Sequence, residues 1–132
     1  MTHSYDYDFF VIGGGSGGVR AARIAGSHGA KVGLAEGADL GGTCVNIGCV
    51  PKKLFVYASK FSHVQSDAKG YGWNFLEPNF DWKKLIENKD TEINRIKGFY
   101  ESILTNNGVI LHRGYAKFID DHIVEVNEER IT

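Results

Sequence analysis

Cys44 and Cys49 carry the clearest chemical potential in this sequence, because they are its only cysteines and just four residues separate them. A structural zinc ion needs four ligands, and no second Cys or His pair completes such a set, so no metal site is expected. A disulfide closing so short a loop would stabilise the fold by only about 2 kcal/mol. Two interpretations remain. Either the cysteines are unpaired and buried, or they carry out redox chemistry, in which a thiolate attacks a disulfide.

The spacing of the two cysteines also constrains the backbone between them. Residues five apart in a regular α-helix have Cα atoms roughly 8.5 Å apart, whereas a disulfide needs about 4.4–6.8 Å. If Cys44 and Cys49 bond, the turn between them cannot be a regular helix. Gly48 and Pro51 are residues that suit a distorted turn.

A glycine-rich loop is the second candidate site. The pattern G-x-G-x-x-G occurs at Gly13, Gly15 and Gly18, after a short apolar run and before a helical segment. Gly13 would allow a tight turn, Gly15 would let the backbone approach a pyrophosphate, and Gly18 would let the helix pack closely on the sheet. The following helix N-terminus would attract the phosphates. An ordinary glycine-rich turn is the alternative.

An acidic residue completes the pattern of a dinucleotide site. Glu36 lies 18 residues beyond Gly18, at the end of the next predicted strand. A carboxylate there would accept hydrogen bonds from ribose hydroxyls and repel a 2′-phosphate, so the pattern favours FAD or NAD over NADP. Ala22 and Gly26 follow Gly18 at four-residue steps and give one helix face a row of small residues.

These candidate residues require an α/β scaffold. The periodicity of apolar residues and the turn-forming residues predict a right-handed βαβ unit, then a longer helical stretch, and finally a hairpin with another strand beginning at its end. The predicted strands are 8–12, 31–36, 109–111, 115–119, 122–126 and 131–132; the helices are 19–28, 52–65 and 81–106, the last with Asp81 as N-cap and Gly108 as stop; and residues 69–79 are a loop packed by its own aromatic rings.

Composition narrows the class of protein. The chain has 132 residues and a net charge of −1, so one domain is expected and no basic surface argues for nucleic acid. The longest apolar run, at 9–12, is far short of the roughly 20 residues that span a bilayer. The N-terminus lacks the pattern of a signal peptide, so a cytoplasmic location is expected. Eleven of the 17 glycines lie between Gly13 and Gly42, which indicates close approach of the backbone to a ligand.

The segment from Gly41 to Lys53, GGTCVNIGCVPKK, resembles the active-site signature of the flavin-dependent pyridine nucleotide–disulfide oxidoreductases. Within that family, Val50-Pro51-Lys52-Lys53 is similar to the glutathione reductase branch and differs from the Ile-Pro-Ser-Lys more usual in lipoamide dehydrogenases and mercuric reductases. Trypanothione reductases share this pattern and remain an alternative, as does a relative of the lipoamide dehydrogenases.

The resemblance implies a Rossmann-like FAD-binding domain with a central parallel sheet, helices and a small β-hairpin or meander layer. FAD would lie with its pyrophosphate on the glycine loop and its ring against a Cys44–Cys49 disulfide. The implied cofactor-binding residues are Gly13, Gly15, Ser16, Gly17, Gly18, Glu36, Thr43, Cys44, Lys52 and Ala116.

The resemblance also implies catalytic and substrate-binding roles. Cys44 would attack glutathione disulfide, Cys49 would be the charge-transfer thiolate, and the cation of Lys52 would favour the reduced flavin. Ser16, Arg23 and Tyr100 would bind the substrate. The alternatives are a solvated helix residue for Arg23, a member of the apolar helix stripe for Tyr100 and a surface lysine for Lys52.

The resemblance covers only the opening portion of a family enzyme. Residues 1–132 are expected to be the N-terminal part of the FAD-binding domain, which is incomplete here. No second G-x-G-x-x-G occurs in the sequence, although an NADPH-binding domain of the family would have its own glycine loop. The NADPH-binding domain and the dimerisation domain are expected to be absent from this chain, and the full-length family is expected to form homodimers. An inactive FAD-binding fragment is therefore a further alternative.

Overall fold

The computed structural model describes residues 5–75 and 79–132. In chain order its elements are β1 (Phe9–Ile12), α1 (Ser16–Ser27), β2 (Val32–Glu36), α2 (Gly42–Asn46), α3 (Cys49–Lys69), α4 (Trp82–Asn106), β3 (Ile110–Arg113), β4 (Ala116–Phe118), β5 (Val124–Val126) and β6 (Glu129–Ile131). Helices and a parallel sheet alternate along the first part of the chain, so the predicted α/β class is confirmed.

The central sheet is parallel, with β2 between β1 and β3. Phe9 pairs with Val32, and Gly33 pairs with Ile110. The first four residues of β2, Val32 to Ala35, are buried, as a strand covered on both faces requires. This order brings the ends of β1 and β2, with the loops that follow them, to the same edge of the sheet.

The two faces of the parallel sheet have different cover. On one face, α1 and α4 bury a core cluster: Val11, Val19, Ala22, Val32, Leu34, Leu40, Leu104 and Val109. On the other lies the antiparallel meander β4-β5-β6, whose Val124, Val126 and Ile131 pack against Ala35. The predicted hairpin is therefore present, and β6 extends it after a tight turn at Asn127 and Glu128, both with positive φ.

Helix boundaries differ from the sequence prediction around the cysteines. The structure begins α1 at Ser16 where 19 was predicted, forms the short α2 where no helix was predicted, and runs α3 from Cys49 to Lys69 where 52–65 was predicted. The glycines and Pro51 lowered the helical signal of these stretches, although proline is tolerated in the first turn of a helix. Burial of Val45 and Pro51 supplies the tertiary packing that overrides that weak local signal.

The second long helix follows its predicted limits closely. Asp81 is the N-cap of α4, and its carboxylate accepts a hydrogen bond from the Lys84 backbone N–H at 3.0 Å. Gly108 has a φ of +71° just beyond the helix end, which a glycine adopts without strain. In the predicted loop 69–79, the rings of Trp73 and Phe75 stack 6.3 Å apart, while 76–78 lie outside the described residues.

Within the described ranges, 5–75 and 79–132, no helix is long and apolar enough to cross a membrane.

Candidate active site

The glycine loop joins the end of β1 to the start of α1. Gly13 has a φ of +99°, a conformation that suits glycine in the tight turn after β1. A Cβ atom at Gly18 would lie 1.9 Å from the Gly13 carbonyl oxygen and 3.2 Å from a methyl group of Val11. Only a glycine at position 18 lets α1 approach the strand this closely.

The outer side of the same loop is open. A Cβ atom at Gly15 or Gly17 would meet no atom of residues 5–75 and 79–132 within 4 Å, and the φ of Gly15, −75°, is available to any residue. Gly15 is the N-cap of α1 and provides no side-chain cap, although the first N–H groups of a helix lack intrahelical acceptors. The N-terminal end of α1, which is the positive end of its dipole, therefore has both open space and free N–H groups, and an anionic ligand requires both.

Glu36 ties the glycine loop to the loop that follows β2. Its carboxylate accepts a hydrogen bond from the Gly14 N–H at 2.6 Å and another from the Ala38 N–H at 2.7 Å. The two bonds go to different carboxylate oxygens, so each oxygen retains acceptor capacity for a ribose hydroxyl. The sequence motif identified Glu36 but gave no sign of its bonds to Gly14 and Ala38.

The loop before the cysteines lies directly against the glycine loop. The Gly41 N–H donates to the Gly14 carbonyl at 2.8 Å, and Gly41 forms an isolated parallel bridge with Gly15. A Cβ atom at Gly42 would lie 3.0 Å from the Gly15 Cα. Gly41 and Gly42 both have positive φ. These two glycines therefore allow both the turn before α2 and the close approach to the glycine loop.

The two cysteines lie at either side of a break between helices. α2 ends at Asn46, Ile47 is its C-cap, and α3 begins at Cys49 with Gly48 as N-cap. The cysteine turn, residues 44–49, is therefore not a regular helix, which is the condition that the spacing argument set for a bond. A Cβ atom at Gly48 would lie 2.8 Å from the Thr43 carbonyl oxygen, so glycine is required at the break.

Both cysteines are free thiols in this structure, Cys44 half-buried and Cys49 exposed. A hydrogen bond with Cys44 raises the pKa of the Cys49 thiol, and desolvation and the charge of Cys44 add to this, while the cation of Lys52 acts in the opposite direction. A Cβ atom at Gly48, the residue before Cys49, would lie 3.4 Å from the Cys44 Cα, so the two cysteines are neighbours in the fold. Two neighbouring thiols can be oxidised to a disulfide and reduced again.

The remaining predicted residues occupy several elements. Ser16 and Arg23 are exposed on α1, Thr43 is exposed in α2, and Lys52 is exposed in the first turn of α3. Tyr100 is half-buried on α4 and packs against the core below the sheet, which agrees with the alternative of an apolar stripe residue. Ala116 begins β4, where it pairs with Val126 and packs against the second core.

Two further features lie outside the sequence prediction. Asn46, between the cysteines, donates from its side-chain amide to the carbonyls of Leu40 and Gly42. Its position between the two cysteines was its only signal in the sequence.

A cavity of about 560 Å³ lies between α3 and the start of α4. Its lining includes Phe55 and Trp82, and neither the cysteines nor the glycine loop. In the part of the chain that the structure describes, no cluster of three or more His, Cys, Asp or Glu side chains could hold a metal ion.

This combination of fold and site has a direct counterpart among known proteins. The profile of the family described as pyridine nucleotide-disulphide oxidoreductase matches residues 7–132. The chain belongs to this family. Its α/β fold with a parallel sheet is that of a partial Rossmann-like FAD-binding domain.

Individual relatives place the chain more closely within the family. It is similar to the glutathione reductase of Pisum sativum, described as chloroplastic/mitochondrial, with 48% identity over 137 residues, covering 96% of this chain and 25% of the relative. The glutathione reductase of Burkholderia cepacia is 50% identical over 122 residues, covering 92% and 27%. A thioredoxin reductase of Emiliania huxleyi is 38% identical over 133 residues, covering 94% and 27%. The chain thus spans about a quarter of the length of the curated relatives it matches.

The residues present fit the FAD that the family implies. The open side of Gly15 and Gly17 would accommodate the pyrophosphate, and the carboxylate of Glu36 would bind the ribose. The bridge from Gly15 to Gly41 holds the cysteine segment beside this cradle. Among the residues that the structure describes, no contact requires a glycine at position 15.

Proposed function

We propose that the chain is the N-terminal, FAD-binding and redox-disulfide part of an NADPH-dependent flavoprotein disulfide reductase whose substrate is glutathione disulfide. One observation carries this proposal: the hydrogen bond from the Gly41 N–H to the Gly14 carbonyl joins a loop suited to an anion to the segment that carries Cys44 and Cys49. The higher identity to glutathione reductases, 48% and 50% against 38% for the thioredoxin reductase, supports glutathione disulfide.

The chain's own residues would divide the work as follows. The N–H groups of Ser16, Gly17 and Gly18 would bind the pyrophosphate, Glu36 the ribose, and Thr43, Lys52 and the backbone of Ala116 other parts of FAD. When bound, FAD supplies a two-electron carrier between a nicotinamide and the disulfide. Cys44 would attack the substrate disulfide, releasing one glutathione as thiol, and Cys49 would then displace the second.

Two proposed substrate contacts lie outside the cysteine turn. Arg23 would bind a glutathione carboxylate, because its guanidinium is exposed on α1 and matches carboxylate geometry. Tyr100 would bind beside the substrate disulfide through whatever part of its ring the core leaves uncovered. Ser16 would contribute at the start of α1.

The same proposal extends to the complete protein. It would contain an NADPH-binding domain and a dimerisation domain in addition to residues 1–132, and it would form a homodimer in the cytoplasm. Sedimentation of the complete protein tests the homodimer, and cell fractionation tests the compartment.

Visible spectroscopy of the purified protein with FAD tests the central proposal. Wild type should bind FAD, and after reduction of the disulfide a rise in pH should produce a long-wavelength charge-transfer band from the thiolate. Cys49→Ser should lose this band, whereas the matched variant Cys44→Ser should retain it. Wild type that binds no FAD, or a band that depends on Cys44 alone, would contradict the assignment.

A substrate panel separates the members of the family. In the complete enzyme, NADPH oxidation should be supported by glutathione disulfide and not by trypanothione disulfide, lipoamide or oxidised thioredoxin. Arg23→Gln should raise the KM for glutathione disulfide and leave FAD binding unchanged. A preference for any other disulfide would replace the proposed substrate without affecting the FAD assignment.

A further inference from the structure

Asn46 occupies the middle of the cysteine turn, at the last residue of α2. Its side-chain amide nitrogen donates to the Gly42 carbonyl at 2.9 Å and to the Leu40 carbonyl at 3.2 Å. Both carbonyls belong to the segment that leads into Cys44. Asn46 therefore folds back over the residues that precede the first thiol.

The carbonyl at Leu40 is in a part of the chain that excludes water. Leu40 is 2% exposed, and Gly41 beside it is buried. A buried carbonyl without a donor costs about 1–3 kcal/mol, so the Asn46 amide contributes a bond that the backbone there needs. An aspartate or an alanine at position 46 has no donor to offer.

The bonds of Asn46 connect the glycine loop to the cysteine turn. Gly41, between the two acceptor carbonyls, donates to Gly14 and bridges Gly15. On the other side of Asn46, the Ile47 N–H donates to the Thr43 carbonyl at 3.0 Å. Asn46 is thus bonded to the segment held by the glycine loop and lies next to the break that brings Cys49 to Cys44.

We propose that Asn46 is a positioning residue that holds residues 40–42 against the cysteine turn and so keeps Cys44 and Cys49 in position to form a bond. This inference rests on the proposed redox role of the pair. Its consequence is that Asn46 favours the disulfide over the dithiol. In a glutathione buffer the thiols of Cys44 and Cys49 each lose a proton and an electron, one S–S bond forms, and glutathione disulfide is reduced to two glutathione thiols.

The equilibrium constant of this exchange can be measured on the full chain without FAD or NADPH. The chain is equilibrated in buffers of glutathione and glutathione disulfide, quenched with acid, alkylated and weighed by mass spectrometry, both folded and in urea. The ratio of the folded to the unfolded constant gives the contribution of the fold. Because neither cofactor takes part, the result is independent of the FAD assignment.

Asn46→Ala, which removes both donors, is expected to lower this ratio about tenfold, a change of roughly 1.4 kcal/mol, because the freed turn lets the two thiols of the reduced chain move apart while the disulfide itself fixes the turn. Asn46→Asp should lower it at least as much, and Asn46→Gln, which keeps an amide, should retain more of the wild-type ratio. Asn107→Ala is the matched control, since Asn107 donates from its amide to the Ile103 carbonyl at 2.8 Å far along the chain. Its ratio should equal that of wild type.

Three results would overturn the proposal. The first is a wild-type ratio of one, which would mean that the fold does not pair the sulfur atoms. The second is a set of Asn46 variants that all retain the wild-type ratio. The third is an equal loss in Asn107→Ala, which would trace the effect to general stability. If Asn46→Ala is unfolded by circular dichroism, the Asn46→Asp variant decides between these outcomes, because a wild-type ratio in a variant without a side-chain donor contradicts the proposed role.

Discussion

The inner and outer sides of the glycine loop require glycine for different reasons. On the inner side, a Cβ atom at Gly18 would overlap the Gly13 carbonyl at 1.9 Å. On the outer side, a Cβ atom at Gly15 or Gly17 would meet no atom within 4 Å. The packing of the fold therefore accounts for Gly18, while no contact of the described residues requires a glycine at position 15, where the proposed pyrophosphate would approach the backbone.

The row of small residues that follows Gly18 extends the inner side along α1. Ala22 is fully buried, and a Cβ atom at Gly26 would lie 2.2 Å from the Asn107 carbonyl. Gly26 thus lets α1 approach the turn between α4 and β3, while Gly18 lets it approach β1. The atoms that a Cβ would meet at a glycine, rather than the position of that glycine in a motif, show whether it belongs to the inner or the outer side.

The largest effect is expected from a change on the inner side. Gly18→Ala should lower the free energy of unfolding by about 3 kcal/mol, because overpacking against backbone cannot be relieved by a side-chain movement. Urea denaturation followed by circular dichroism measures it. Gly98→Ala is the matched control, since Gly98 is inside α4 with open space around it, and should gain about 1 kcal/mol. Equal stabilities of the two variants would show that α1 is not held as tightly as described.

A change on the outer side should separate binding from stability. Gly15→Ala is expected to change the free energy of unfolding by less than about 1 kcal/mol, since the new methyl group meets no protein atom. The same methyl group would occupy the space proposed for the pyrophosphate, so FAD affinity should fall about tenfold or more, an effect of roughly 1.4 kcal/mol. Flavin fluorescence titration measures this, and unchanged affinity would remove the ligand explanation for Gly15.

Glu36 lies where the two sides meet, and its substitution should affect both properties. Glu36→Gln replaces one acceptor oxygen by an NH₂ group, so either the Gly14 or the Ala38 N–H loses its partner. A loss of about 1 kcal/mol in stability is expected, together with weaker FAD binding. Glu92→Gln is a suitable control, because Glu92 pairs with Arg95 on the surface of α4, where such pairs contribute about 0.5 kcal/mol. A Glu36→Gln variant that binds FAD as wild type does would assign Glu36 to the fold alone.

The sequence was informative wherever a residue type had few physical roles. The positions of β1, β2 and α1 followed from the glycine pattern and the apolar runs, and Asp81 marked the start of α4 because an Asp before an apolar stripe caps a helix. The difference between helical and disulfide Cα distances made a break between the cysteines the condition for their bonding, and the structure has such a break. Each of these inferences depends on local geometry.

Contacts between distant segments could not be predicted in the same way. The Tyr7 hydroxyl and the His112 Nε2 atom lie 2.7 Å apart, although 105 residues separate them in sequence. The bridge from Gly15 to Gly41 and the bonds of Asn46 likewise depend on how two loops meet at one edge of the sheet. Residue patterns place such loops at the same edge but do not determine which atoms bond.

The smallest expected effect concerns Asp6, a second carboxylate that joins separate segments but lies apart from the glycine loop. Its Oδ2 atom accepts hydrogen bonds from the backbone N–H and the hydroxyl of Thr132, each at 2.9 Å. These bonds lower the pKa of Asp6, with a smaller contribution from Lys31. Since the folded chain favours the ionised form of Asp6, the stabilisation is present above the pKa of this group in the unfolded chain, near pH 4. It is lost as the pH falls through the lower pKa of the folded chain.

Asp6→Asn should therefore melt slightly below wild type at pH 7 and approach it at pH 2.5, and Thr132→Val should reduce the same difference. Unlike Glu36→Gln, neither variant should alter FAD affinity. A loss of affinity in Asp6→Asn would mean that the ligand site depends on the hydrogen bonds between Asp6 and Thr132 as well as on the glycine loop.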